Sequence, residues 1–246
     1  MTLRAALATP ASKRRYVRWL FDTIADRYDL ITAVLSYGQD RRWKRRLAAM
    51  ARIAPGARAL DLACGTGDIA FELACRGADV VGLDITPRMI ELARAKRAEA
   101  SGLPRAPRFL VGDMMALPFP DQSFDVVTTG YGVRNVPVLE TALVEIRRVL
   151  RPGGRFLSLD FNRPGHPIVR AIYLAYLTLV GSVLGLVLHG RSDTYRYIPA
   201  TIRRYPGAAG VARLLRDLRF DAVTHVTVLG GLMAINTATR PSERRP

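Results

Sequence analysis

The chain has 246 residues, about half of them apolar, with 37 Lys and Arg against 21 Asp and Glu and a formal net charge of +16. That length suits one large α/β domain with a substantial core and excludes a second full domain. Cys64 and Cys75 form neither a disulfide framework nor a metal-ligand pattern, so a reducing cytosol is the expected setting and no metal is expected.

Residues 1–12 read as a loose tail. Residues 13–27 and 39–52 have helical character, with Val17, Leu20, Phe21 and Ile24 at helix spacing. Nearly all the cations are arginine, and the runs Lys13-Arg14-Arg15 and Arg41-Arg42-Trp43-Lys44-Arg45-Arg46 would attract nucleic acid, anionic lipid or acidic solutes, unless they are only solvated helix faces. Pro55-Gly56 breaks the pattern. Short apolar runs then follow at about 58–63, 79–84, 108–112, 125–130 and 154–161, with helical patterns at about 68–76, 87–99 and 138–150 between most of them. That alternation predicts a parallel sheet with helices on both faces. Thr86 is the expected N-cap of a helix that has Pro87 in its first turn, and Pro152-Gly153-Gly154 is the expected stop before the fifth strand.

Ala171 to Leu188 is eighteen residues without a charge. Its length borders on that of a membrane span. Two tyrosines, a threonine, a serine and two glycines favour instead a buried helix, one lining an apolar pocket or one lying on a membrane surface. A charged loop to Pro199, a helix at about 208–218 and strands at about 221–228 and 231–239 complete the expected order. The organisation expected is an N-terminal helical lid over 1–54 and a cofactor-binding domain over 55–246, with an apolar helical insertion at about 165–198.

The chemistry starts at Asp61-Leu62-Ala63-Cys64-Gly65-Thr66-Gly67, a strand running into a glycine turn and then a helix. Gly65 and Gly67 let the backbone approach a ligand closely. With Ala70, the turn also fits the G-x-G-x-x-A pattern of dinucleotide sites, a weak signal by itself. Asp61 before the turn would repel a pyrophosphate but can meet the ammonium of a methionine tail. Asp84, followed by Ile85, ends the second strand where it can accept from ribose hydroxyls. Asp113 and Met114 follow the third strand, placed for an adenine amine and ring. Other readings exist for each: Asp61 as a helix cap, Asp113 as a turn initiator, Met114 as core. Together, at these spacings, they point to a class I methyltransferase using S-adenosyl-L-methionine.

Beyond the cofactor, the chain resembles the ubiquinone/menaquinone biosynthesis C-methyltransferases from about residue 16 to 240. The resemblance rests on Phe21-Asp22, Ile24-Ala25, Tyr28-Asp29, Leu35-Ser36-Tyr37-Gly38, Arg41 and Trp43, on Gly132-Val133-Arg134-Asn135, on Arg148-Val149-Leu150-Arg151-Pro152-Gly153-Gly154, and on a tail with Tyr195, Tyr197-Ile198, Pro206 and Gly230-Gly231-Leu232-Met233-Ala234-Ile235. It implies a Rossmann-like class I methyltransferase with a seven-stranded, mostly parallel sheet. It also implies methylation of a prenylated quinol carbon, with Arg134 stabilising an oxyanion or holding a water, Asn135 orienting it, and Tyr28 and Asp29 closing over the cofactor. An alternative partner for Arg134 is Asp125 or Glu145. The expected partners are the quinol, an anionic membrane touched peripherally at the inner face, and a homodimer; nucleic acid is not among them. The chain departs from the family at Ile31-Thr32, at Asp40 in place of a histidine, at Gly130 in place of a cofactor-contacting serine, and at Asp160-Phe161-Asn162. These departures leave another phenolic or polyketide acceptor as the alternative. A nucleic-acid methyltransferase is disfavoured, because Thr129-Gly130-Tyr131-Gly132 stands where such enzymes carry an Asn/Asp-Pro-Pro-aromatic motif. Intact Arg134 and Asn135 disfavour a non-catalytic binder.

Overall fold

A computed structural model describes residues 3–99, 102, 103, 105–189 and 195–242. Seven strands form one sheet in the order β3-β2-β1-β4-β5-β7-β6. They are β1 (Arg58–Leu62), β2 (Asp79–Asp84), β3 (Arg108–Val111), β4 (Phe124–Gly130), β5 (Leu150–Phe161), β6 (Asp221–Val228) and β7 (Met233–Thr239). β1 to β5 pair in parallel, and β7 runs antiparallel to both β5 and β6. The helices are α1 (Leu3–Ala6), α2 (Pro10–Ile24), α3 (Tyr28–Leu35), α4 (Asp40–Met50), α5 (Asp68–Ala74), α6 (Pro87–Glu99), α7 (Leu139–Val149), α8 (Pro167–His189), α9 (Tyr197–Arg204) and α10 (Gly207–Asp217).

The strands alternate between two cores, as the period-2 pleat requires. Val80, Val126 and Leu157 face one core with α4, α5 and α6. Their neighbours Val81, Val127 and Phe156 face the other with α7 and α10. Helices therefore cover both faces. A third cluster joins α2 and α3 to Tyr195 and Tyr197, and a fourth packs Tyr173, Leu174 and Leu177 of α8 against Ile202 of α9.

Some sequence expectations needed correction. The tail is helical from Leu3, and α2 starts at Pro10 because Thr9 and Ser12 form a reciprocal capping box. Residues 1 and 2 of that tail lie outside the described residues. Pro152-Gly153-Gly154 does not stop β5; it bulges within it. The register with β4 shifts there, and Gly153 and Gly154 exchange backbone bonds with Arg240 beyond β7. Thr86 stands at the N-cap position before Pro87 of α6, as expected, but its buried hydroxyl makes no capping bond. Pro199 lies inside α9, in its first turn, where a missing N–H costs little; residues 190–194 of the expected loop lie outside the described residues. The segment from Pro167 to Leu188 is long and apolar enough to cross a membrane by length and composition, yet part of it packs on α9.

Candidate active site

The site lies at the carboxyl edge of the parallel strands, where ligands of open α/β sheets bind. After β1, the chain holds Ala63, Gly65 and Gly67 in the left-handed region, and Gly67 begins α5. This turns the backbone sharply and leaves a slot: a Cβ added to Gly65 would sit 3.6 Å from Cε1 of Tyr28, in the gap between turn and ring. Asp84 organises the turn, accepting the Gly65 amide on Oδ2 (2.9 Å) and the Thr86 amide on Oδ1 (2.8 Å). Burial pushes its carboxyl above the ordinary range, and the two amides pull against that.

A cavity beside this turn is lined by Tyr28, Gly65, Asp84, Ile85, Asp113, Met114, Gly130 and Asn135, which gathers most of the residues expected to hold the cofactor. Thr66 lines a small adjoining hollow with Lys44 and Asp68, and Gly67 lines neither space, facing Phe71 and Phe109 instead. Asp113 accepts the Met115 amide (2.9 Å) and pairs with Arg14 of α2 (3.0 Å), so it is also the turn initiator weighed from sequence. Asn135 donates to the Tyr131 carbonyl (2.7 Å) and leaves its buried Oδ1 unpartnered at this cavity. A narrow slot over the glycine turn, an acid with further lone pairs and an orphaned amide oxygen fit a nucleoside with a polar tail.

Asp61 is placed differently from the expectation. It is fully buried, accepts the Thr128 hydroxyl on Oδ1 (2.8 Å), and has no hydrogen-bond partner on Oδ2. It lines neither main cavity, so it braces β1 against β4 beneath the turn. Burial raises its carboxyl to about 7, although the Thr128 hydroxyl opposes that shift. The Gly130 departure also has a local reason: a Cβ there would meet Cδ1 of Ile69 at 2.6 Å, so a serine needs Ile69 to move.

A second cavity of about 380 Å³ abuts the first, and Phe21, Tyr28 and Tyr131 line both. Its walls come from α2, α3 and α8 and are mostly apolar and aromatic. Arg134 supplies its guanidinium. Neither alternative partner holds it, because Asp125 pairs with Arg151 and Glu145 with Arg148. Asp160 does so instead, accepting from Nε (3.2 Å) and from the backbone amide (3.1 Å), while Nη1 donates to Thr201. The guanidinium also lies 4.9 Å from the Phe161 ring centroid. Arg134 and Asn135 thus open onto different cavities.

Sequence reasoning missed a chain of charges that joins the N-terminal helices to the sheet. Tyr131 donates to Asp40 (2.6 Å), Asp40 pairs with Lys44, Lys44 with Asp68 (2.9 Å), Asp68 with Lys96 (3.3 Å), and Lys96 with Asp29 (2.6 Å). Thr66 closes it onto the turn by donating to Asp29 (2.7 Å). Burial alone would depress Lys44, but Asp68 and Asp40 hold it above its ordinary value. The usable signal was the i,i+4 spacing of Asp40 and Lys44 beside Trp43 and Leu47, which puts this lysine on the buried face of an otherwise basic helix.

The profile of the ubiE/COQ5 methyltransferase family matches residues 9–240. The chain belongs to that family. Its relatives include the demethylmenaquinone methyltransferase of Thermus thermophilus, 42% identical over 90% of this chain and 100% of that one. The ubiquinone/menaquinone biosynthesis C-methyltransferase UbiE of Dinoroseobacter shibae is 40% identical over 92% of this chain and 90% of that one. Among solved structures, an S-adenosylmethionine-dependent methyltransferase from Thermotoga maritima superposes with a TM-score of 0.66 at 18% identity, covering 91% of this chain and 99% of that one; this likeness concerns the fold alone. Membership makes the chain an S-adenosyl-L-methionine-dependent methyltransferase of the class I fold. Two of its departures from the family pattern, Asp40 and Asp160, prove to be the carboxylates that hold Tyr131 and Arg134.

Proposed function

We propose that the chain methylates a ring carbon of a prenylated quinol of the demethylmenaquinol or ubiquinol-precursor type. The observation that carries this reading is the apolar cavity with a buried guanidinium, sharing a wall with the nucleoside-sized slot. The relatives named for this reaction support it. When bound, the cofactor supplies a methyl already activated by its sulfonium. The protein must align the acceptor carbon, exclude water and stabilise the oxyanion that makes that carbon nucleophilic. Gly65, Asp84, Ile85, Asp113, Met114 and Gly130 hold the cofactor, Thr66 and Gly67 act by shaping the turn, and Asp61 acts indirectly by bracing it. Tyr28, on the N-terminal lid formed by residues 1–54, closes over it. Arg134 stays charged, because a guanidinium has a pKa above ~12, and stabilises developing charge on the acceptor oxygen. Asn135 works from the cofactor side.

The long tail of such an acceptor leaves through the mouth of the cavity. Tyr37, Val169, Ile172 and Leu229 line the cavity and are also exposed. From there an apolar stripe runs along α8 through Ile168, Ile172, Leu179, Val183, Leu186 and Val187, which repeat at helical spacing. The stripe and the net charge of +16 support peripheral docking on an anionic membrane from the inner face.

The reaction is tested by incubating purified protein with labelled S-adenosylmethionine and a short-tailed demethylmenaquinol, then locating the methyl by mass spectrometry. A methyl on the ring carbon is expected. Turnover of simple phenols or polyketides with none on the quinol would overturn the reading.

A further inference from the structure

The proposed reaction must remove a proton from the acceptor's hydroxyl, and among the described residues no carboxylate or imidazole lines the acceptor cavity. Arg134 is too weak a base. Tyr131 lines the cavity with its hydroxyl on a carboxylate, donating to Asp40 Oδ1 at 2.6 Å. It also lines the cofactor cavity, so its ring belongs to the wall that the two cavities share. Two features show that this placement is imposed. Tyr131 holds a φ of 59°, a region that bulky residues rarely adopt and that clusters at functional sites. Asp40 is fixed in turn by Lys44, which Asp68 holds from the other side.

Resting on the quinol reading, we propose that Tyr131 is a catalytic residue that takes the acceptor's hydroxyl proton while passing its own to Asp40. Because Tyr131 donates its hydrogen to Asp40, its oxygen has lone pairs to offer the acceptor hydroxyl. The acceptor's O–H bond breaks toward Tyr131 Oη as the Tyr131 O–H bond breaks toward Asp40 Oδ1. The ring carbon forms its bond to the methyl, and the carbon–sulfur pair remains on sulfur. The ring carbon then loses its own hydrogen as a proton to solvent water at the open mouth of the cavity, because Asp40 is still protonated, and the ring regains aromaticity. Asp40 returns its proton to Tyr131, which reprotonates the acceptor oxygen, so one net proton is released per methyl. A carboxylate is competent here because methylation at carbon makes the acceptor hydroxyl strongly acidic as the transition state forms. Lys44 fixes the Asp40 carboxylate against the Tyr131 hydroxyl, which makes Asp40 a positioning residue acting through Tyr131.

The test compares Tyr131→Phe, Asp40→Asn and the double variant with wild type, using the short-tailed demethylmenaquinol and binding of S-adenosylhomocysteine. Each single variant should lower kcat about 100-fold, at the lower end of what general acid–base catalysis contributes. Homocysteine-product affinity and acceptor KM should stay within about threefold, and the double variant should be no worse than either single one, because the two groups act in series. A chlorinated acceptor already ionised at the assay pH should lose most of the Tyr131→Phe deficit, which a merely structural role would not allow. Tyr131→Phe retaining more than a third of kcat, or an equal deficit with the ionised acceptor, overturns the proposal. Asp40→Asn failing to fold would leave Tyr131→Phe and the ionised acceptor to decide. If wild type methylates only other phenols, the quinol reading falls and the same variants test the relay on those phenols.

Discussion

The two cavities are built by opposite means. The cofactor side is made of backbone: a left-handed turn, amides gathered on Asp84, and strand ends fixed by the ladder. The acceptor side is made of side chains from α2, α3 and α8, which pack beyond the sheet's two main cores. Backbone geometry specifies one ligand and tolerates little change, since the turn must approach it directly. A wall of side chains can be re-cut by substitution. The difference teaches why the donor of a reaction can be read from a short motif while the acceptor cannot.

Arg134 is where the acceptor side has least freedom, so Arg134→Ala should have the largest effect. Turnover should fall by about 100-fold or more, as when an oxyanion-stabilising donor is removed. Stability should also fall, by roughly 3–5 kcal/mol, because Asp160 is left buried without its partner. Burial already pushes the Asp160 carboxyl up, and Arg134 opposes it. Adding Asp160→Asn should recover much of the stability, read by urea titration, and none of the turnover. If activity returned with stability, Arg134 would be a structural pair and the acceptor wall would hold no fixed point.

On the cofactor side, Gly65→Ala places a methyl in the slot facing Tyr28 and at a φ of +53°. Calorimetry should show S-adenosylhomocysteine binding weakened about tenfold or more, equivalent to roughly 1.4 kcal/mol, with acceptor KM little changed. Unaltered binding would mean that the cofactor does not cross the turn, and the contrast between the two sides would collapse.

The same contrast explains how much the sequence revealed. The strands and their order of alternation were legible because β2 and β4 are short, apolar and bounded by turns, and α6 appeared at its observed bounds. That Asp84, Asp113 and Met114 share one cavity was legible because strand ends converge on one edge. That Asp61 lies outside the cofactor cavity was not legible, because spacing places a residue before the turn without saying that its carboxylate turns to Thr128. Lys44 and Asp40 were hidden in a run of arginines, since a charge cluster looks solvated until tertiary packing turns one face inward. The Asp160 partner of Arg134 lies 26 residues away on the next strand, a distance that helix periodicity cannot report. The tail helix α1 was missed because it is a single turn of four residues, too short for a periodic signal, and the start of α2 was set three residues late because the Thr9–Ser12 capping box was not recognised.

The mildest perturbation concerns the outer rim of the acceptor side. Leu179 is 68% exposed, Leu186 61% and Val187 73%, and none of them lines the acceptor cavity. Replacing all three by Glu should change stability by no more than about 0.5 kcal/mol per site, as expected for surface positions, and leave turnover of a short-tailed acceptor intact. Flotation with anionic vesicles should drop, because each large apolar side chain contributes about 1.5–3 kcal/mol when fully buried. Turnover of a long-tailed acceptor presented in those vesicles should fall with it. A wild-type protein that does not float, but is a dimer that this triple variant makes monomeric, would assign the stripe to a second copy of the chain. The acceptor side would then be sealed by protein, and its tail would need another exit.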